Sequence, residues 1–189
     1  MIQTDSKIDA TGLACPMPIV KTRKAMKELA PGDVLEVQAT DRGSIADIKA
    51  WSQSAGHHYI GTKEEDGVIY HYLRKSSNEE REENRYPHVV TNDTLEEMLG
   101  ADEAIKLVDV REAAEFAFGH IPGAISVPFG KLEDEMKDWS RETAICVICR
   151  TGNRSDRAAQ QLAEAGFTNV KNVVPGMSGW NGSIQKNMN

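Results

Sequence analysis

The chain is short of cysteine, of long apolar runs and of excess positive charge, and each shortage excludes something. Its 189 residues include only 3 cysteines, an odd number in a long chain, which argues against a disulfide scaffold and for reduced, reactive or buried thiols. No window approaches the roughly 18 apolar residues of a transmembrane helix, and the polar stretch at residues 1–9 lacks the apolar core of a signal peptide. A cytoplasmic chain with no membrane contact is expected. The net charge is −7, with ten basic and ten acidic side chains in residues 1–75 and ten against fifteen in residues 86–189. Neither half carries the basic footprint of a nucleic-acid binder, so an RNA acceptor would have to be held by another protein. The length suits one large domain or two small ones, each able to bury a core.

Periodicity organises the first half. Residues 7–10 read as a strand leading into Cys15-Pro16-Met17-Pro18, where two prolines stage Cys15 at a helix entrance. A helix is expected over 17–29, with Ile19, Val20, Met26 and Leu29 inward and Lys21, Lys24 and Lys27 in water. Residues 34–40 alternate as a half-buried strand, with Leu35, Val37 and Ala39 on one face. A second helix over 44–54 has Ser44 as its expected cap and Ile45, Ile48 and Trp51 as its apolar stripe. Two strands, 57–63 and 68–74, follow around the acidic turn Glu64-Glu65-Asp66-Gly67.

Residues 75–85 contain no apolar side chain and cannot enter a core, which places a domain boundary there: 1–75, a charged linker at 76–85, and 86–189. As a coil the linker reaches roughly 18 Å on average and about 35 Å when stretched. Beyond it, Val89-Val90 opens a run of strands alternating with helices. The expected helices are one to Leu99 capped by Asn92 or Asp93, then 112–118, 131–138 and 156–165; the expected strands are 105–110, 125–127, 144–148 and 170–174. Such alternation implies a parallel sheet covered on both faces, with its ligand site beyond the strand C-termini.

Cys149-Arg150-Thr151-Gly152-Asn153-Arg154-Ser155 lies at such an end, where a buried strand turns into a helix. The free N–H groups and positive dipole end of a helix start, with Arg150 and Arg154 beside them, favour the nucleophilic thiolate. Either arginine could close the loop or meet an anionic donor. Four residues separate Cys149 from Arg154, one fewer than in the Cys-x5-Arg ring that cysteine phosphatases wrap around phosphate, and the tighter ring fits a sulfur atom or persulfide better than an oxyanion. Cys146 has redox-motif spacing to Cys149 but lies within the apolar strand, so it reads as a buried structural thiol. His57-His58 has no accompanying carboxylate or cysteine cluster, and no metal site is expected.

The Cys149 loop resembles the active-site loop of the rhodanese sulfurtransferases. Asp109-Val110-Arg111, Glu115-Phe116, Gly119-His120-Ile121-Pro122-Gly123-Ala124 and Pro175-Gly176-Met177-Ser178-Gly179-Trp180 extend the likeness, in that family's order, over roughly a hundred residues. The resemblance implies Cys149 as nucleophile and Arg150, Thr151, Gly152, Asn153, Arg154 and Ser155 as the cradle for the donor. Asp109 and Arg111 would be a supporting polar pair, His120 structural, and Trp180 a lid over the domain. Leu13-Ala14-Cys15-Pro16-Met17-Pro18, Ala39-Thr40-Asp41 and Asp47-Ile48 resemble the TusA/SirA family of small sulfur carriers, over residues 5–74. That likeness implies Cys15 as a persulfide carrier serving a partner protein and Asp41 as the acidic residue near it; Arg42 stands where family members often have proline.

The expected architecture is α/β: a two-layer α+β sandwich, with two helices on a mixed four-stranded sheet, followed by a rhodanese-like domain. The expected activity is sulfur transfer from thiosulfate or a low-molecular-weight persulfide through Cys149 to Cys15 or an outside thiol, typically on a protein acceptor. This chemistry requires no metal or organic cofactor. The alternatives are an arsenate reductase or phosphatase on the same fold, and a non-catalytic thiol sensor; a homo-oligomer is left open.

Overall fold

The computed structural model describes residues 2–77, 85–101 and 104–188. The chain divides into two compact units, residues 1–78 and 79–188. Most of the segment expected as a linker, residues 78–84, lies outside the described residues.

The first unit runs β1 (Ser6–Ala10), α1 (Met17–Glu28), β2 (Val34–Ala39), α2 (Gly43–Ser54), β3 (His58–Glu65) and β4 (Val68–Arg74). Its sheet has the order β1-β2-β4-β3, with β1 parallel to β2 and the other pairs antiparallel. Leu35, Val37 and Ala39 turn one face of β2 to the helices, where Met26 of α1 and Ile48 of α2 complete the core with Leu73. Full burial of each such large apolar side chain contributes about 1.5–3 kcal/mol. The mixed sheet bearing two helices is the expected one.

Three local details differ from expectation. Val20 is 52% exposed, and the inward position on that helix turn belongs to Thr22, whose hydroxyl is satisfied by the Pro18 carbonyl at 2.8 Å. Ser44 does not cap α2: its Oγ bonds Nε2 of His71 on β4 at 2.9 Å. The acidic turn shortens to Asp66-Gly67, because both take positive φ (51° and 78°) as a two-residue hairpin requires, and β3 therefore continues through Glu65.

His71 is wholly buried, its other ring nitrogen bonded to the Tyr59 hydroxyl at 2.8 Å. Burial pushes its pKa down from 6.5 to about 4. The folded state thus holds His71 neutral while the unfolded chain protonates it near 6.5, so the stability it contributes is full above that pH and is lost as pH falls toward 4. Urea midpoints measured from pH 7 to pH 4.5 should fall, and His71→Gln should flatten that part of the slope; an equal slope in the variant would contradict this assignment.

The second unit runs β5 (Val89–Thr91), α3 (Asn92–Gly100), β6 (Ile105–Asp109), α4 (Ala113–Phe118), β7 (Ile125–Ser126), α5 (Leu132–Glu135), β8 (Ala144–Ile148), α6 (Asn153–Glu164) and β9 (Val170–Val174). The sheet is parallel throughout, in the order β5-β9-β8-β6-β7. Alternation along β8 divides its side chains between two cores: Ile145, Val147 and then Cys149 pack with Ala158, Ala159 and Leu162 of α6, while Cys146 and Ile148 pack with Leu95 and Met98 of α3. The parallel sheet covered on both faces agrees with the sequence reading. Three elements differ. Thr91, not Asn92 or Asp93, caps α3 by accepting from the Thr94 N–H, leaving Asn92 buried for another task. The helix expected over 131–138 is a single α turn between two 3-10 turns, Phe129–Lys131 and Met136–Asp138. Finally, α6 starts at Asn153 rather than Asp156, because Gly152 adopts φ 94° and turns the chain directly into the helix.

Candidate functional site

Two thiols stand at strand-to-helix junctions, one in each unit, in opposite surroundings. Cys149 follows β8 and is 1% exposed. Its Sγ accepts from the Gly152 backbone N–H at 3.1 Å and the Ser155 hydroxyl at 3.3 Å. Both donors belong to the loop and the first turn of α6, so the sulfur sits in a small pocket of donors at a helix start. Arg150 is half-buried and Thr151 exposed beside it, and Asn153 opens α6. Arg150 has no carboxylate partner among the described residues.

Arg154, expected either to close the loop or to meet an anionic donor, pairs with a carboxylate of the protein. It is buried, and its Nη1 and Nη2 donate to the two oxygens of Glu115 at 2.7 and 2.9 Å. Glu115 also accepts from the Glu112 backbone N–H at 3.0 Å, within a capping box that starts α4. The guanidinium is therefore committed to tying the first turn of α6 to α4. Arg150 is thus the loop cation with no carboxylate partner among the described residues.

Other segments hold the loop from outside. Asn172 on β9 donates to the Gly152 carbonyl at 3.1 Å, and Asn92 at the start of α3 donates to the Gly176 carbonyl at 2.9 Å. The Met177 and Ser178 N–H groups bond the Cys149 and Arg150 carbonyls, both at 2.8 Å. Gly176 runs so close that a Cβ there would lie 2.4 Å from the Cys149 carbonyl oxygen, at a positive φ of 79°. Sequence reasoning gave Asn172 no role, took Asn92 only as a candidate helix cap, and met Glu115 only as part of a family-like segment. A lone amide inside the apolar strand Val170–Val174 and the Glu112/Glu115 spacing were the available signals.

Asp109 and Arg111 form the expected polar pair: Arg111 Nη2 lies 2.6 Å from Asp109 Oδ2 and also donates to the Gly119 carbonyl at 2.7 Å. His120 is structural as expected, stacked on Phe116 with ring centroids 3.7 Å apart and bonded to its carbonyl. Trp180 donates to the Ser183 carbonyl and packs on the core beneath α3, so it covers that face of the sheet rather than the Cys149 face. Cys146 faces the same α3 core, on the opposite side of the sheet from Cys149, and is buried as the sequence suggested.

Cys15 is exposed and immediately precedes α1, whose first turn contains Pro18 and whose N-cap is Pro16. Its thiol lies 3.2 Å from Oδ2 of Asp47 on α2. The carboxylate hydrogen-bonded to the thiol is thus Asp47, while Asp41, whose carboxylate accepts from the Gly43 N–H at 3.1 Å, acts on it through its charge. The hydrogen bond to Asp47, some desolvation, and the charges of Asp47 and Asp41 together push the Cys15 thiol pKa up. Exposed Met17 and Val20 flank it along α1.

Among the described residues no helix is long and apolar enough to cross a membrane. Residues 6–75 match the family model "Sulfurtransferase TusA" and residues 91–183 match "Rhodanese-like domain". YrkF of Bacillus subtilis, whose name places it among sulfur carrier proteins, is 41% identical over 185 residues, covering 98% of this chain and 100% of its own. Sulfur carrier protein TusA of Allochromatium vinosum is 38% identical over 76 residues, 40% of this chain and 100% of that one. The crystal structure of a rhodanese-like domain protein from Staphylococcus aureus superposes with a TM-score of 0.50 at 27% identity, covering 52% of this chain and 97% of that one. With both family models matched in order and one relative aligned along nearly its full length, the chain belongs to the sulfur carrier family in which a TusA domain precedes a rhodanese-like domain.

Proposed function

We propose that the chain is a sulfurtransferase that takes sulfur from thiosulfate or a low-molecular-weight persulfide onto Cys149 and passes it to Cys15, or to an outside thiol. The observation that carries this reading is the convergence of the Gly152 N–H and the Ser155 hydroxyl on the Cys149 sulfur, in a loop whose other cation, Arg154, is held away by Glu115. A cradle of that size suits one sulfur atom. The Cys149 thiolate attacks the outer sulfur of thiosulfate, the donor's S–S bond breaks, and sulfite departs with the electron pair. Arg150 meets the sulfonate end of the donor, and the loop donors hold the charge on the new persulfide. Three free thiols suit a reducing compartment such as the cytoplasm.

A tethered acceptor raises its effective concentration to about millimolar when the linker spans the two sites, which favours Cys15 over competing thiols. Sulfur then leaves Cys15 for a protein partner. The test is peptide mass after incubation with thiosulfate. Wild type should gain one sulfur atom on Cys149 and then on Cys15, and Cys149→Ser should gain none on either. Sulfur on Cys15 in both proteins would overturn the relay.

A further inference from the structure

The relay reading leaves open what keeps a small donor from loading Cys15 directly, since that thiol is exposed and Cys149 is buried. The side chains around Cys15 answer it. Asp47 Oδ2 is 3.2 Å from the sulfur, and Asp41 adds a second negative charge. Arg42, the adjacent cation, is drawn off to Glu64 at 3.1 Å and does not neutralise them. Lys21 on α1 is likewise engaged, with the Asp9 carbonyl at 2.8 Å. The surroundings of Cys149 have the opposite sign, with backbone donors on the sulfur and Arg150 beside it.

We propose that Asp47, backed by Asp41, selects the sulfur donor of Cys15: the two carboxylates turn away small anions such as thiosulfate and admit a persulfide presented by a cationic surface, and Asp47 moves the thiol proton. The inference rests on the relay reading for its biological meaning. In the transfer, Cys15 gives its proton to the Asp47 carboxylate while its sulfur bonds the outer sulfur of the Cys149 persulfide. The S–S bond of that persulfide breaks, and its electron pair remains on Cys149 as thiolate. Asp47 returns the proton to the terminal sulfur now on Cys15. Cys15–SH and Cys149–S–S⁻ thus become Cys15–S–SH and Cys149–S⁻, with no oxidant or reductant consumed. The charge on the Cys15 side is set by Asp47 and Asp41, which favours a donor surface of opposite sign.

The test uses the full chain with Cys146→Ser and Cys149→Ser, so that Cys15 is the remaining thiol, and two alkylating agents of similar size: anionic iodoacetate and neutral iodoacetamide. The readout is the ratio of their second-order rate constants, which cancels any change in thiol acidity. Asp47→Asn should raise the iodoacetate-to-iodoacetamide ratio about fivefold, the effect of removing one unit charge a few ångströms from the reacting atom in water. Asp41→Asn should raise it by less, and Asp47→Glu should keep it near the parent value. An unchanged ratio in both Asn variants overturns the proposal, as does a rise in both rates by the same factor. Alkylation needs no sulfur donor, so this result stands apart from the mass test of the relay: a failed relay with a shifted ratio would leave the electrostatic selection intact, and a working relay with a flat ratio would remove it.

Discussion

Cys149→Ser should lower thiosulfate-to-cyanide sulfur transfer by at least about a thousandfold while the protein stays folded. A hydroxyl needs a base to become a nucleophile, and the groups bonded to the Cys149 sulfur are the Gly152 N–H and the Ser155 hydroxyl, neither of which is one. The serine oxygen can accept from the same two donors, so the cradle should persist, and circular dichroism should match wild type. Cys146→Ser is the matched control. Its side chain faces the core under α3, across the sheet from the loop, and turnover should remain within a few-fold of wild type. Activity surviving in Cys149→Ser would transfer the chemistry to another residue, and activity lost in a folded Cys146→Ser would require a disulfide exchange step.

Glu115→Ala should cost about 3–5 kcal/mol of stability, because it removes the two-pronged carboxylate of the buried Arg154 guanidinium and leaves it the more distant Glu112, 4.0 Å away. The loss is compounded at α4, whose first turn loses the Glu112 N–H acceptor. Denaturant midpoints at constant slope would measure it. A double replacement, Glu115→Met with Arg154→Met, separates tethering from donor binding. Stability and turnover should both recover in large part if Arg154 only ties α6 to α4. Recovered stability with turnover still absent would return Arg154 to the donor-binding role first expected of it.

The fold was legible in this sequence wherever a periodic pattern reports on a whole face. Alternation marked β2 and an apolar run marked β8, and with β4 and β9 these strands were placed to within a residue or two. The misreadings share a cause. Ser44 looked like a cap until His71, 27 positions away, claimed its hydroxyl. Arg154 looked like a donor ligand until Glu115, 39 positions away, claimed its guanidinium. Cys15 was placed near Asp41, whose charge does act on it, but the hydrogen-bonded carboxylate is Asp47, six residues on, within α2. In each case a polar side chain had several local uses, and the tertiary partner that decided among them leaves no periodic trace. The thiols themselves were legible because their signal is local: a cysteine at the end of an apolar strand before a helix, and another set off by prolines.

The way the Cys149 loop is held bears on when the chain becomes reactive during synthesis. Asn172, Gly176, Met177 and Ser178 all follow the nucleophile in sequence, and each bonds or abuts the backbone of residues 149–152. A nascent chain that has emerged as far as Ser155 already carries Cys149, both of its sulfur donors and the Glu115–Arg154 tie, but the backbone contacts on the other side of the loop come only with β9 and the segment after it. The loop of a half-made chain thus lacks the braces that Asn172, Met177 and Ser178 supply. The full set of contacts around the Cys149 loop is complete only once Ser178 has been made.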